Sequence, residues 1–257
     1  MQAHSYGMSS LRVGMGTFVA VEADASTEAI ARLGLAGAFA AIELAEQLMH
    51  PTRGGSDLAA LRACAQGVPL SVHPWTWEVL ELCGRLNRLS LGTFDPCVPE
   101  GSGRITDLEL RQPRIVVAHA PLDIDLGGIA KGYAVDRALD ALRAAGCHGG
   151  LVNAGGDLAV FGARSRGIVC RDRLADSVLV ELKDAALATS DVENESRPAE
   201  HRGYYHGADR SVVVSGRVTI VAASAAIADG LTKCLLAGDR ASRQSLLDAF
   251  EARLIGG

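Results

Sequence analysis

Four short segments carry residues whose types and spacing suit phosphate or metal chemistry. In the run from Asp125 to Asp136 (DLGGIAKGYAVD), a strand pattern ends at Asp125, two glycines turn the chain, and a helix begins near Ala130. Helix-start N–H groups attract phosphate, glycines let it come close, and Lys131 adds a positive charge. An ordinary strand–helix turn with a surface lysine reads the same way. Neither the P-loop Gly-Lys-Ser/Thr nor G-x-G-x-x-G occurs there. Further on, Asp229, Thr232 and Lys233 stand at i, i+3 and i+4 and share one helix face. A carboxylate and a hydroxyl on one face suit Mg²⁺, which binds through oxygen; the competing reading is a plain Asp229–Lys233 surface ion pair. The alanines before Asp229 imply close backbone packing and set that carboxylate away from water. In Gly92-Thr93-Phe94-Asp95-Pro96, Asp95 either accepts from a base edge or ribose, or caps a turn. In Asn153-Ala154-Gly155-Gly156-Asp157, the paired glycines within a strand pattern mean a bulge, a backbone pressed against a ligand, or a packing need.

The elements that hold these segments follow from periodicity. Val13–Val21 reads as a strand entered through Gly14 and Gly16. Ser26–Met49 reads as a long helix capped by Ser26, with Leu33, Ala36, Ala40, Leu44 and Leu48 on one stripe. A short helix is expected over Ser56–Ala65, and His73-Pro74 opens another, with Val79, Leu82, Leu86 and Leu89 in line. Gly92–Gly103 is a loop; Ile115–Ala118 and Leu122–Leu126 are strand-like; Ala130–Ala145 is a helix closed by Gly146. Strands follow over Leu151–Phe161, Gly167–Cys170, Val178–Leu182 and Leu187–Ala188. Ser190–Gly203 is a polar loop. Val212–Val214 and Arg217–Val221 form a hairpin around Ser215-Gly216, and helices cover Ala223–Leu236 and Arg240–Ala252. Helices alternating with strands, with no repeat and no linker, predict an α+β fold: one globular unit over residues 1–257, mixed sheets flanked by helices.

Composition narrows the function classes. A 257-residue chain that is 48% apolar buries a sizeable core and is not disordered. A net charge of −5 argues against a dedicated nucleic-acid binder, which needs a basic face, and 4% aromatics leave little for base stacking. No run approaches the roughly 18 apolar residues of a membrane span. The six cysteines contain no C-x-x-C pair and read as reduced, mostly buried thiols. No h-region or lipobox-like cysteine lies near Met1, so the expectation is a cytoplasmic protein, or a periplasmic one if a leader was trimmed.

In order and spacing, these segments resemble the ApbE-type flavin transferases. The matching pieces are Met15-Gly16-Thr17, Ser56-Asp57-Leu58, Thr93-Phe94-Asp95-Pro96, Asp125–Asp136, Asn153–Asp157, Ala188-Thr189-Ser190 and Ala228-Asp229, of which Asp125–Asp136 is the most specific. The resemblance implies an enzyme that splits FAD and joins FMN, through its phosphate, to a threonine hydroxyl of an acceptor protein, releasing AMP with the help of Mg²⁺. It places FAD contacts on Met15, Thr93, Phe94, Asp95, Asp125 and Lys131. It places the metal on Asp229, Thr232 and the backbone carbonyl of Gly128. In His206-Gly207-Ala208-Asp209 it makes His206 the candidate proton acceptor, with Asp229 the other catalytic position. Two alternatives stand beside transfer: an FAD-binding protein with little transfer activity, and a Mg²⁺-dependent FAD pyrophosphatase giving FMN and AMP.

The sequence departs from that pattern at several points. Lys233 stands where the family has threonine, Thr52 where it has tyrosine, Asp191 where it has glycine, and Arg210 where it has proline. The lysine lies one helical turn past Asp229, in the favourable order for an i,i+4 pair, and is expected to compete with Mg²⁺ for the carboxylate.

Overall fold

The computed structural model describes residues 6–170, 177–192, 206, 209, 211, 213 and 215–256. The chain opens with an antiparallel hairpin, β1 (Tyr6–Gly14) and β2 (Thr17–Ala25), which replaces the single strand expected over Val13–Val21. Met15 (φ 52°) and Gly16 (φ 70°) are both left-handed, the backbone that a two-residue turn between right-twisted strands requires.

The long helix α1 (Glu28–Met49) is capped by Thr27 rather than Ser26; Thr27 Oγ1 accepts from the Ile30 N–H at 3.3 Å. Its buried face also differs from the expected stripe. Leu33 is 63% exposed, whereas Ala31, Gly34, Ala38, Ile42 and Ala45 are buried. Small residues win because α1 lies close against a second helix, α4 (Ala130–Ala144); a Cβ on Gly34 would lie 3.1 Å from Leu142 Cδ2 of that helix. Between them in sequence, Ser56 caps α2 (Asp57–Ala63) and His73 caps α3 (Pro74–Leu89). Asp57 joins the two, its Oδ2 accepting from the His73 N–H at 2.9 Å and the Thr76 hydroxyl at 2.6 Å.

Two sheets flank these helices. Strands β3 (Leu70–Ser71), β4 (Leu108–Arg111) and β5 (Ile115–Ala118) form the smaller one, in the order β3-β5-β4. The strand expected at Leu122–Leu126 is not one: Ile124 makes a single bridge, to Cys97. Its alternating apolar residues are buried under the Gly92–Gly103 loop, whose Pro96 and Pro99 lack the N–H groups that a ladder needs.

Continuing along the chain are β6 (Gly149–Ala154), β7 (Asp157–Gly162), β8 (Arg166–Cys170), β9 (Val178–Leu182), β10 (Ala185–Asp191), β11 (Arg217–Ala222) and β12 (Arg253–Gly256). Among the described residues the larger sheet runs β1-β2-β6-β7-β10-β11-β12, every pair antiparallel. Helices α1 and α4 cover one face of it, packing on Val152, Ala159 and Phe161. The β8–β9 ribbon covers the other, setting Val180 and Leu182 on Leu158 and Val160. Gly155 (φ 63°) and Gly156 (φ 102°) are the tight turn of the β6–β7 hairpin, not a mid-strand bulge. The β11 arm expected beside Ser215-Gly216 is present, whereas residues 212 and 214 of the other arm lie outside the described residues.

Two more helices complete the fold, α5 (Ala225–Ala237) and α6 (Arg243–Ala249). The helix expected to run to Ala252 stops at Ala249; Glu251 (φ 50°) then turns the chain into β12. All six cysteines are free, four of them buried, and burial pushes the Cys234 thiol up to about 12.

Among the described glycines, the one with least room for a side chain lies where α4 meets α5. A Cβ on Gly132 would lie 2.2 Å from the Ala225 carbonyl oxygen and 2.8 Å from the Ala226 nitrogen, both backbone atoms that cannot rotate away. Gly132→Ala is therefore expected to destabilise the fold by about 1–3 kcal/mol or more. Gly37→Ala, where the new methyl meets only Ala141 Cβ at an ordinary 3.5 Å, should be neutral or stabilising by up to about 1 kcal/mol. Urea midpoints of the two variants check both; equal effects would contradict the close crossing.

Candidate active site

The crossing of α4 and α5 brings four charged side chains to one buried point. The turn before α4 closes through Leu126, whose carbonyl accepts from the N–H groups of Ile129 (2.9 Å) and Ala130 (2.7 Å). Asp125 Oδ1 accepts from Gly127 N–H at 2.7 Å. The N–H of Gly132 donates to Asp229 Oδ2 at 3.2 Å. These N–H groups at the helix start, expected to be open to phosphate, are thus already committed, and the positive charge of the site comes from side chains.

Asp229 reaches this point because α5 sinks deep into the core. Ser224 caps it, Ala225, Ala226 and Ala228 keep its face thin, and Asp136 of α4 clamps its start, accepting from Ala225 N–H (2.7 Å) and Ala226 N–H (2.9 Å). Asp229 is fully buried. Lys233 Nζ forms an ion pair with its Oδ1. Lys131 Nζ lies 2.9 Å from Asp157 Oδ2 and 3.9 Å from Asp229 Oδ2. Two ammoniums thus face two carboxylates, with both acids almost without exposure and the lysines 28% and 14% exposed. Burial, then the neighbouring Asp229 charge, push the Asp157 carboxyl upward; Lys131 and Lys233 oppose that shift.

Lys233 also defines the wall of the site. Its stem lies along the Gly127–Gly128 turn, with Cγ 3.5 Å and Cε 3.6 Å from where a Gly128 Cβ would stand. Thr232 is fully buried and faces elsewhere: its hydroxyl donates to the Asp229 carbonyl at 2.6 Å and pairs with Ser190 Oγ at 2.7 Å. It ties α5 to β10.

The residues expected to contact a ligand fall into groups. Lys131, Gly128 and Asp229 meet at the charged cluster. Asp125 and Asp95 are neighbours through the loop, because Asp125 N–H donates to the Pro96 carbonyl at 2.8 Å. Asp95 behaves as a turn cap: its Oδ1 accepts from Cys97 N–H (3.0 Å) and Ile105 N–H (3.1 Å), and Arg104 stands 3.8 Å from Oδ2. Thr93 Cγ2 lies 3.5 Å from the Cβ position of Gly238, at the end of α5. Phe94 is a core side chain, 5% exposed. Met15 sits in the β1–β2 turn, its N–H donating to Glu46 Oε2 at 3.1 Å. His206 Nε2 lies 3.9 Å from Glu100 Oε1, on the same loop as Asp95.

Two members of the site had no individual role from sequence. Asp157 follows the Gly-Gly turn at the head of an otherwise apolar strand, a position that demands a buried partner. Asp136 lies at i+4 from Gly132, on the same face of α4.

Comparison with known proteins bears on the family and the fold. Residues 15–103 and 101–254 match the ApbE family. An FAD:protein FMN transferase of Vibrio cholerae is 26% identical over 242 residues, covering 76% of this chain and 70% of that protein. One from Rhodobacter capsulatus is 29% identical over 174 residues, covering 57% of this chain, and the match spans only 33% of that protein's length. The solved structure of the flavin transferase ApbE from Vibrio cholerae superposes with a TM-score of 0.79 at 21% identity, covering 98% of this chain and 93% of that one.

Asp136 gives the clamp a pH signature. Its burial, only partly offset by the two α5 N–H groups, raises its carboxyl from 3.8 to about 6. The folded state then holds the proton more tightly than the unfolded one. This contribution to stability is complete below about pH 4 and is lost as pH rises through about 6. Asp136→Asn lacks that loss, so the stability difference between parent and variant should change by up to about 3 kcal/mol across the window. Urea melts over a pH series measure it; parallel curves would contradict the assignment.

Proposed function

Since the chain belongs to the ApbE family, we propose that it is an FAD:protein FMN transferase acting on a threonine hydroxyl of an acceptor protein. In this reaction the hydroxyl oxygen bonds to the FMN phosphorus, the phosphorus–oxygen bond to AMP breaks, and AMP leaves with the electron pair. The proton of the hydroxyl goes to a base. The observation that carries this reading is the meeting of the Gly127–Gly128 turn with Lys131, Asp229 and Lys233 at the α4–α5 crossing. Diphosphate cleavage asks for fixed positive charge more than for a protein nucleophile, and Lys131 supplies it on a rigid helix. His206, beside the loop of Asp95, is the side chain suited to accept the hydroxyl proton.

The expected Mg²⁺ does not fit the donors as they stand. One Asp229 oxygen pairs with Lys233 and the other accepts from Gly132. The Thr232 hydroxyl is engaged by the Asp229 carbonyl and Ser190. A divalent ion about 3.5 Å from an ammonium would be repelled by roughly 10 kcal/mol at an effective dielectric of about 20.

FAD should bind more tightly than FMN, which lacks the diphosphate, and Lys131→Ala should weaken FAD by about a hundredfold, or ~2.7 kcal/mol. Calorimetry giving equal affinities for the two flavins would remove the diphosphate from the account. His206→Ala should slow covalent flavin transfer, followed by protein-bound fluorescence, by roughly 10²–10⁴-fold with FAD affinity retained. A rate within a few-fold of the parent would place the base elsewhere. FAD bound without AMP release or acceptor labelling would make the protein a flavin carrier instead.

A further inference from the structure

We infer that Lys233 is the resident cation of this site, and that the site takes the diphosphate of its flavin nucleotide without a divalent metal. The identity of the nucleotide rests on the flavin-transferase reading; the exclusion of metal rests on the site's own geometry. Three observations converge on it.

The ammonium of Lys233 is paired with a carboxylate that has no exposure at all. The lysine stem is held between α5 and the Gly127–Gly128 turn, so the charge is fixed in place rather than swinging in solvent. The charge at the crossing already balances, with Lys131 and Lys233 against Asp157 and Asp229. A divalent ion could approach Asp229 only by expelling Lys233, which would leave an ammonium in a half-closed wall with no carboxylate opposite it. A flavin diphosphate, by contrast, brings negative charge to a site where two partly exposed lysine side chains border two sequestered acids. The lysine gives one charge and no coordination geometry, so it orients the diphosphate less strictly than an ion with oxygen ligands would.

The test titrates the whole chain with MgCl₂ alone, and with MnCl₂ followed by electron paramagnetic resonance, before any flavin is added. The parent and Lys233→Arg, which keeps the charge, should take up no ion at millimolar concentration. Lys233→Thr should bind Mg²⁺ more tightly than the parent by about tenfold or more. Lys233→Met keeps the stem against Gly128 and drops only the charge. It should gain affinity for Mn²⁺ too, and it decides the matter if the threonine variant folds poorly. In a second arm, FAD affinity of the parent should be the same in Mg²⁺ and in EDTA. Parent protein that binds Mg²⁺ as tightly as Lys233→Thr, or that loses FAD in EDTA, overturns the inference. If FAD binds in neither condition, the flavin reading fails, while the metal titration still decides the place of Lys233.

Discussion

Two carboxylates are buried where two helices cross, and the rest of the site is arranged to make that tolerable. A lone buried carboxylate is costly, and a buried pair of like charges more so, unless cations and N–H groups meet them. Here each acid has its own lysine, Asp157 with Lys131 and Asp229 with Lys233. The Gly132 N–H adds a donor to Asp229. The arrangement requires α4 and α5 to approach until backbone meets backbone, which only glycine at 132 and alanines at the start of α5 permit. Asp136 then holds the two helices in register by capping one with a side chain of the other. Removing one member of such a network costs more than its pairwise contact, since the others are left facing an unpaired charge.

This network also explains which parts of the structure were legible in the sequence. The α+β class, the helix over Ala130–Ala144 and the Ala-rich helix bearing Asp229 followed from periodicity and caps. So did the juxtaposition of Asp229 with Lys233, which is local to one helix face. The chemistry of Asp157 was not legible, because its partner Lys131 lies on another element and strand–helix contacts leave no mark in local spacing. Turns were misread for a related reason. Met15-Gly16 and Gly155-Gly156 both bend the chain back on itself, yet flanking apolar residues made each look like part of one continuous strand. The face of α1 was misread because leucines draw attention, whereas the demand for close contact with α4 selects Ala31, Gly34 and Ala38. Leu122–Leu126 has a strand's alternation because it is buried, but its neighbour is a proline-bearing loop that cannot pair along its length.

The same architecture sets what the site can do. Preorganised charge on rigid helices, at a turn narrow enough for close approach, suits the splitting of a diphosphate linkage. There the protein's work is neutralisation and alignment rather than covalent participation. The chain shares the family's framework but places an ammonium against the buried aspartate. That ammonium is a monovalent charge, fixed by packing against the Gly127–Gly128 turn. The loop of Thr93, Phe94 and Asp95 is joined to Asp125 by the Asp125 N–H to Pro96 carbonyl bond, and Ser90 and Asp95 side chains fix its backbone by accepting from the Phe94 and Cys97 N–H groups.

The most direct measurement is a crystal structure of the parent protein grown with FAD and MnCl₂, with data collected at the manganese absorption edge. The account predicts FAD with its diphosphate against Lys131 and the Gly127–Gly128 turn, Lys233 still paired with Asp229, and no anomalous peak at that carboxylate. An anomalous peak on Asp229 with Lys233 displaced, or a flavin diphosphate seated away from the α4–α5 crossing, would contradict it.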